Sequence, residues 1–167
     1  MTTESLVSAT PTVEGDAFRY AMARLPTGVT VVTTRGAHGP QGCTVNAVMS
    51  LSLRPPTMLV SFTTGSGTLN QVLESGFFAV NVLPWSARSL ARHFAVGTAA
   101  QRFANVPWEP EAGIPVLTAA SVAAVCEVRE AVSMFDHTLV AGAVVWTRTG
   151  EQPSTVLYGN GQYCVGG

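Results

Sequence analysis

This 167-residue chain contains no lysine; its nine basic residues are all arginines, set against ten acidic ones. With a formal net charge of -1 and no clustered basic stretch, it offers no patch for a nucleic-acid backbone. The missing lysine also excludes a Walker-type phosphate loop, whose Lys reaches the outer phosphates of a nucleotide. Charged residues make up only 11% of the chain, against roughly 25% in an average soluble domain. So little charge leaves apolar surface to be covered, which favours a homodimer with a large apolar interface.

Cysteine is scarce as well. Cys43, Cys126 and Cys164 are odd in number and far apart, with no C-x-x-C pair and no Cys/His ligand spacing. No disulfide framework and no metal site are therefore expected, and the chain reads as a reduced, cytoplasmic protein. The opening "MTTESLVSATPTVEGD" lacks the basic start and apolar core of a signal peptide. No run approaches the ~18 apolar residues of a spanning helix, so no membrane association is expected.

What is present is a hydrophobic fraction of 47%, enough for one domain with a sizeable core. A flexible arm is expected over residues 1–13, rich in Ser, Thr and Pro, and a single domain over 14–167. "DAFRYAMARL" places Phe18, Met22 and Leu25 on one face of a helix that Pro26 and Gly28 stop. Strands are predicted in "GVTVVTT", "CTVNAVMSLSL", "TMLVSF", "FFAVNVL", "SVAAVCEVREAV" and "HTLVAGAVVWTRT", with a short one in "TVLYGNGQYCV". Helices are predicted in "TLNQVLES" and "SARSLARHFA". Because helices do not alternate regularly with strands, the pattern predicts a mainly β, closed or nearly closed antiparallel barrel.

Four stretches could carry chemistry, and each has an ordinary alternative. In "SFTTGSGTLNQVLES" a strand runs into a Gly- and hydroxyl-rich loop before a helix that Thr68 could cap, a cradle for a phosphate or simply a capped turn. In "CTVNAVMSLSL" regular alternation would put Thr44, Asn46, Ser50 and Ser52 on one face, suited to a flat heteroaromatic ligand or to water. Pro26-Thr27-Gly28 could bring backbone close to a ligand or merely end a helix. The acid and imidazole of Asp136-His137, at the mouth of an otherwise apolar strand, could meet a nucleotide or could be a structural pair.

Taken in order, "FRYAMARLPTGVTVVTT", "TVNAVMSLSLRPPTMLVSF", "SGTLNQVLESGFFAVNVL", "RFANVPWE" and "FDHTLVAGAVV" followed by "VLYGNGQY" resemble the short-chain flavin reductase family. These are the reductase components of two-component flavin-dependent monooxygenases. The resemblance spans about residues 16–165 and implies an FMN-binding split β-barrel of Greek-key type with a few flanking helices, assembled as a homodimer. It implies hydride transfer from NADH, or NADPH, to FAD, or FMN, and release of reduced flavin to a partner oxygenase or halogenase.

Carried over by position, the resemblance sets Pro26, Thr27 and Gly28 beside the flavin. Thr44, Val45, Asn46, Ala47, Ser50, Leu51 and Ser52 would line its ring and ribityl chain. Ser61, Phe62, Thr63, Ser66, Gly67 and Thr68 would surround the phosphates, joined by Arg102 and Phe103. His137 matches the histidine of a Gly-Asp-His motif that contacts the nicotinamide nucleotide, with Asp136 beside it and Tyr163 closing the same site. The motif's Gly is Phe135 here, so either the loop takes another backbone conformation or the ring fills part of the nucleotide site. The alternatives to a reductase are an oxidase of the pyridoxamine phosphate type with FMN permanently bound, and a flavin-binding module without turnover.

Overall fold

The computed structural model describes residues 11–151, 155–159 and 162–166. Most of the expected flexible arm, residues 1–10, lies outside the described residues. A first helix, α1 (Gly15–Met22), leads into β1 (Thr27–Gly28), β2 (Thr30–Gly36), β3 (Gly39–Val45), β4 (Val48–Leu53) and β5 (Pro56–Thr63). Helix α2 (Gly67–Ser75) precedes β6 (Phe77–Val82), a 3-10 turn at Trp85–Ala87, and the short helices α3 (Ser89–His93) and α4 (Ala99–Phe103). The chain continues through β7 (Trp108–Glu111), β8 (Ile114–Leu117), β9 (Val122–Met134), β10 (His137–Thr149), β11 (Thr155–Gly159) and β12 (Gln162–Gly166). No helix among the described residues is long and apolar enough to cross a membrane.

Seven strands form one antiparallel sheet in the order β3-β2-β6-β9-β10-β5-β4. Its central strands are buried on both faces, which is why their sequences read as unbroken apolar runs. Successive residues divide between two cores: Val31, Ala79, Ala123 and Val125 enter one, and Val32, Phe78, Val80, Ala124 and Cys126 enter the other. The second core also takes Val60, Phe62 and Val140 from β5 and β10, closed by Leu69 and Val72 of α2. The first is covered by Ala91, Phe94 and the β7–β8 hairpin.

The long β9–β10 hairpin curls the sheet. Its register shifts between Ala141 and Gly142 and again between Val144 and Trp146, and each bulge bends the strand and adds twist. The curl brings β3 and β4, the two edges, to either side of a seam. Only Asn46 and Ala47 join them in sequence, and no ladder pairs them among the described residues, so the barrel stays split.

Two expectations need correction. "CTVNAVMSLSL" is not one strand: it breaks at Asn46-Ala47, β3 pairing with β2 and β4 with β5 at the opposite edge. A further register shift between Ser50 and Ser52 ends any regular alternation, so Thr44, Asn46, Ser50 and Ser52 do not share a face. "SARSLARHFA" forms a 3-10 turn and the five-residue α3 rather than one helix. The β7–β8 hairpin had no counterpart in the sequence reading; Pro110 and Pro115, directly opposite each other, hid its pattern.

Candidate functional site

Residues far apart in sequence meet where β5 ends and β10 begins. The β9–β10 hairpin turns on two residues, Phe135 and Asp136, flanked by the Met134–His137 pair. His137 lies opposite Thr63 on β5, so the hairpin tip abuts the Gly-rich loop that follows. Two bonds fix this contact: Thr64 N–H donates to Asp136 O at 3.0 Å, and the Thr64 and Thr138 hydroxyls lie 3.0 Å apart. His137 Nδ1 is 2.8 Å from Asp136 Oδ1. An ionised carboxylate only accepts, so Nδ1 carries the proton and Nε2 is left as the ring nitrogen open to a ligand. The hydrogen bond and the charge of His137 hold the Asp136 carboxyl below its ordinary range.

Phe135 answers the question raised by its sequence. Its φ is 56°, the left-handed region a Gly would enter freely, so the turn keeps that conformation despite the side chain. The ring is 94% exposed and therefore does not fill a nucleotide site within this chain.

In the adjoining loop, Gly65 also has a positive φ, 77°, and Ser66 N–H closes a turn on Thr63 O at 3.1 Å. Ser66, not Thr68, caps α2: its side chain accepts from Leu69 N–H at 3.4 Å. The correction follows from burial, since Thr68 is only 5% exposed inside the first turn and bonds the Cys43 thiol. The N–H groups of Gly67 and Thr68 have no carbonyl to reach within the helix, and a Cβ at Gly67 would meet nothing within 4 Å. The loop thus has room and free donors for an anion.

The seam supplies a second wall. Ser61 N–H donates to Ala47 O at 3.0 Å, tying the β3–β4 corner to the start of the loop. Asn46 Nδ2 donates to Thr27 Oγ1 at 3.3 Å, and Gly28 pairs with Leu157 of β11. A groove of about 630 Å³ runs past Phe18, Met22, Leu25, Thr27, Asn46 and Tyr158. Asn46 and Tyr158 also line a smaller cleft of about 180 Å³ with Val29, Thr44 and Tyr163. Amide and hydroxyl donors on one side and aromatic rings on the other fit a flat heteroaromatic ring, and the loop fits its phosphorylated tail.

Arg102 and Phe103 hold the corner from behind. Arg102 donates to Gly42 O at 2.8 Å and to Val96 O at 3.1 Å, while His93 Nε2 meets Arg102 O at 2.8 Å. Its charge and the Thr68 hydroxyl both lower the Cys43 pKa, yet burial outweighs them and the thiol is raised. Phe103 packs edge-on against Phe94 and Trp108, with centroids 5.1 and 6.5 Å away.

Not every expected residue reaches this region with its side chain. Phe62 and Val45 are buried in the second core, at 2% and 8% exposure, and offer only backbone. Ser52 and Leu51 lie toward the far end of β4, and Ser52 Oγ accepts from Arg54 N–H in the local turn. Ser50 pairs with Met58 and lines another pocket, while Pro26 is exposed at the start of β1, packed against Gly159. Tyr158 was missed from the sequence. It stands directly across from Tyr163, ring centroids 5.2 Å apart, and the Asn-Gly between the two tyrosines is a hairpin signal that would have paired them.

A model of the flavin reductase like domain family matches residues 22–167. The flavin reductase (NADH) of Kitasatospora aureofaciens is 45% identical over 156 residues, covering 90% of this chain and 81% of that protein. Two solved structures superpose over most of the chain. The NADH:FAD oxidoreductase SgcE6 of Streptomyces globisporus, in complex with NAD and FAD fragments, is 28% identical with a TM-score of 0.84, over 93% of this chain and 96% of that one. BorF, the flavin reductase component of a bacterial two-component tryptophan halogenase, is 27% identical with a TM-score of 0.83, over 91% and 98%.

Proposed function

The chain belongs to the flavin reductase-like domain family, and we propose that it is an NADH-dependent flavin reductase that supplies reduced FAD, or FMN, to a partner oxygenase or halogenase. The observation that carries the reading is the register of His137 against Thr63, which sets the open imidazole nitrogen beside the anion-ready loop. When bound, the flavin ring takes the hydride of the reduced nicotinamide, so the cofactors supply the redox chemistry.

The chain's own part is to hold two planar ligands face to face. Thr27, Gly28, Thr44, Asn46 and Ala47 orient the flavin ring at the seam, and Thr63, Ser66 and Gly67 with the free N–H groups of α2 hold its phosphate. Arg102 keeps the corner in place and adds positive charge beside it. His137, fixed by Asp136, orients the nicotinamide through Nε2. The Phe135 ring is exposed rather than folded into the chain, which favours turnover over a silent binding module.

The working form is a cytoplasmic homodimer of one domain, residues 14–167. Phe18 and Met22 of α1 and Leu25 just after it are 56, 45 and 59% exposed, an apolar patch of the kind a second copy buries. The groove lined by these residues and by Thr27 and Asn46 would then be completed at the subunit interface.

The test is NADH oxidation by absorbance with FAD, FMN or no flavin added. Oxidation that saturates with added flavin supports a reductase of diffusible flavin and ranks the two. Turnover without added flavin, by protein purified with stoichiometric flavin, would favour the oxidase type. Flavin binding without NADH or NADPH oxidation would overturn the assignment.

A further inference from the structure

Thr64 stands between Thr63, at the end of β5, and the anion-ready loop at Ser66 and Gly67, yet its own bonds run the other way, into the β9–β10 hairpin. Its N–H donates to Asp136 O at 3.0 Å, and its hydroxyl lies 3.0 Å from that of Thr138. A single bond would hold a distance; two from the same residue also fix the angle at which the hairpin tip meets the loop. Thr138 is 5% exposed, set between Phe62 on β5 and Ser133 on β9, and Thr64 is the one hydrogen-bond partner of its hydroxyl among the described residues. Were the loop to swing away, that hydroxyl would be left buried and unpaired, so loop and tip are held to one joint arrangement. At the tip, Asp136 joins the two sides: its backbone oxygen accepts from Thr64, and its carboxylate Oδ1 accepts from His137 Nδ1–H at 2.8 Å.

We propose that Thr64 is a positioning residue that couples the flavin phosphate to the nicotinamide. A phosphate held by Ser66, Gly67 and the first N–H groups of α2 fixes the loop, Thr64 passes that order to Asp136 and Thr138, and His137 Nε2 is set for the nicotinamide. The loop has room to be ordered in this way, because residues 63–65 and 67 are exposed and glycines stand at 65 and 67. The inference rests on the reductase reading and adds a substrate preference to it. FMN and FAD, which carry phosphate, prepare the nicotinamide subsite; riboflavin, with the same ring and no phosphate, does not. Ring stacking on the nicotinamide is common to all three and gives no such difference. Coupling of this kind is reciprocal, so the nicotinamide nucleotide tightens FMN over riboflavin by the same factor.

The test is calorimetric titration of the full-length protein with tetrahydro-NAD, an NADH analogue that donates no hydride, at saturating FMN and separately at saturating riboflavin. The analogue should bind about threefold or more tightly with FMN, within the roughly two- to twelvefold effect of one neutral hydrogen bond. Combining Thr64→Val with Thr138→Val replaces both hydroxyls by apolar groups of the same shape and leaves no buried hydroxyl unpaired, so the melting temperature should hold. In that double variant the ratio between the two flavins should fall below about 1.5, whereas Thr64→Ser, which keeps the hydroxyl, should keep the ratio. A merely structural role would weaken the analogue equally with both flavins and leave the ratio unmoved. Equal affinity with FMN and riboflavin in the unmodified protein, or an unchanged ratio in the double variant, would each overturn the proposal while NADH oxidation stays intact. The reductase reading fails separately, if the unmodified protein oxidises no NADH with any flavin.

Discussion

Replacing His137 by Ala tests the centre of the proposed site. The side chain is 44% exposed, its Nδ1 is engaged by Asp136 at 2.8 Å, and Nε2 alone is open to a ligand. An unprotonated Nε2 accepts a hydrogen bond, such as that of a carboxamide N–H. One such bond is worth ~0.5–1.5 kcal/mol net, so its loss should weaken NADH binding about two- to twelvefold. Anaerobic stopped-flow reduction separates the terms: the NADH dependence gives the dissociation constant and the plateau gives the chemical step. The constant should rise by that factor while the plateau falls less than about threefold, because direct hydride transfer asks no proton of the imidazole. A plateau lowered a hundredfold with unchanged binding would refute the positioning role and make His137 a proton-transfer group. The pH dependence adds a check. A carboxyl with a lowered pKa stays ionised as pH falls through the ordinary carboxylate range, and the orientation it gives is lost only below that range. NADH affinity should therefore show no step near the ordinary Asp value of about 4.

Three other perturbations probe the frame. A Cβ at Gly142 would lie 2.6 Å from the Phe78 ring and 2.8 Å from Cys126 Cβ, both fully buried, so Gly142→Ala should destabilise by ~1–3 kcal/mol and lower Tm by several degrees; an unchanged melting curve would contradict this packing. Phe135→Gly should be more stable than Phe135→Ala by about 1 kcal/mol, since only Gly enters positive φ without strain. Its NADH affinity should stay within about twofold of the parent, whereas a large gain would mean that the ring does obstruct the nucleotide. Phe18→Glu should shift the protein from dimer to monomer in light scattering, and an intact dimer would remove α1 from the interface.

The sequence by itself determined the elements that depend on local pattern. The apolar runs of β2, β6 and the first half of β9 mark strands buried on both faces, and "TLNQVLES" marks α2. The pairing of an acid with an imidazole ahead of β10 was also visible, as was the glycine-rich loop. What alternation could not reveal was the break at Asn46-Ala47. The residues on either side suit a strand equally well, and the chain divides there only because β3 and β4 pair with opposite edges of a curled sheet. Burial likewise moved the cap of α2 from Thr68 to Ser66, and turned Phe62 and Val45 into the core. The meeting of Thr63 with His137 joins positions 74 residues apart through the register of β5 on β10. Register is set by which side chains of the whole sheet must be buried, so the site it builds belongs to tertiary structure alone.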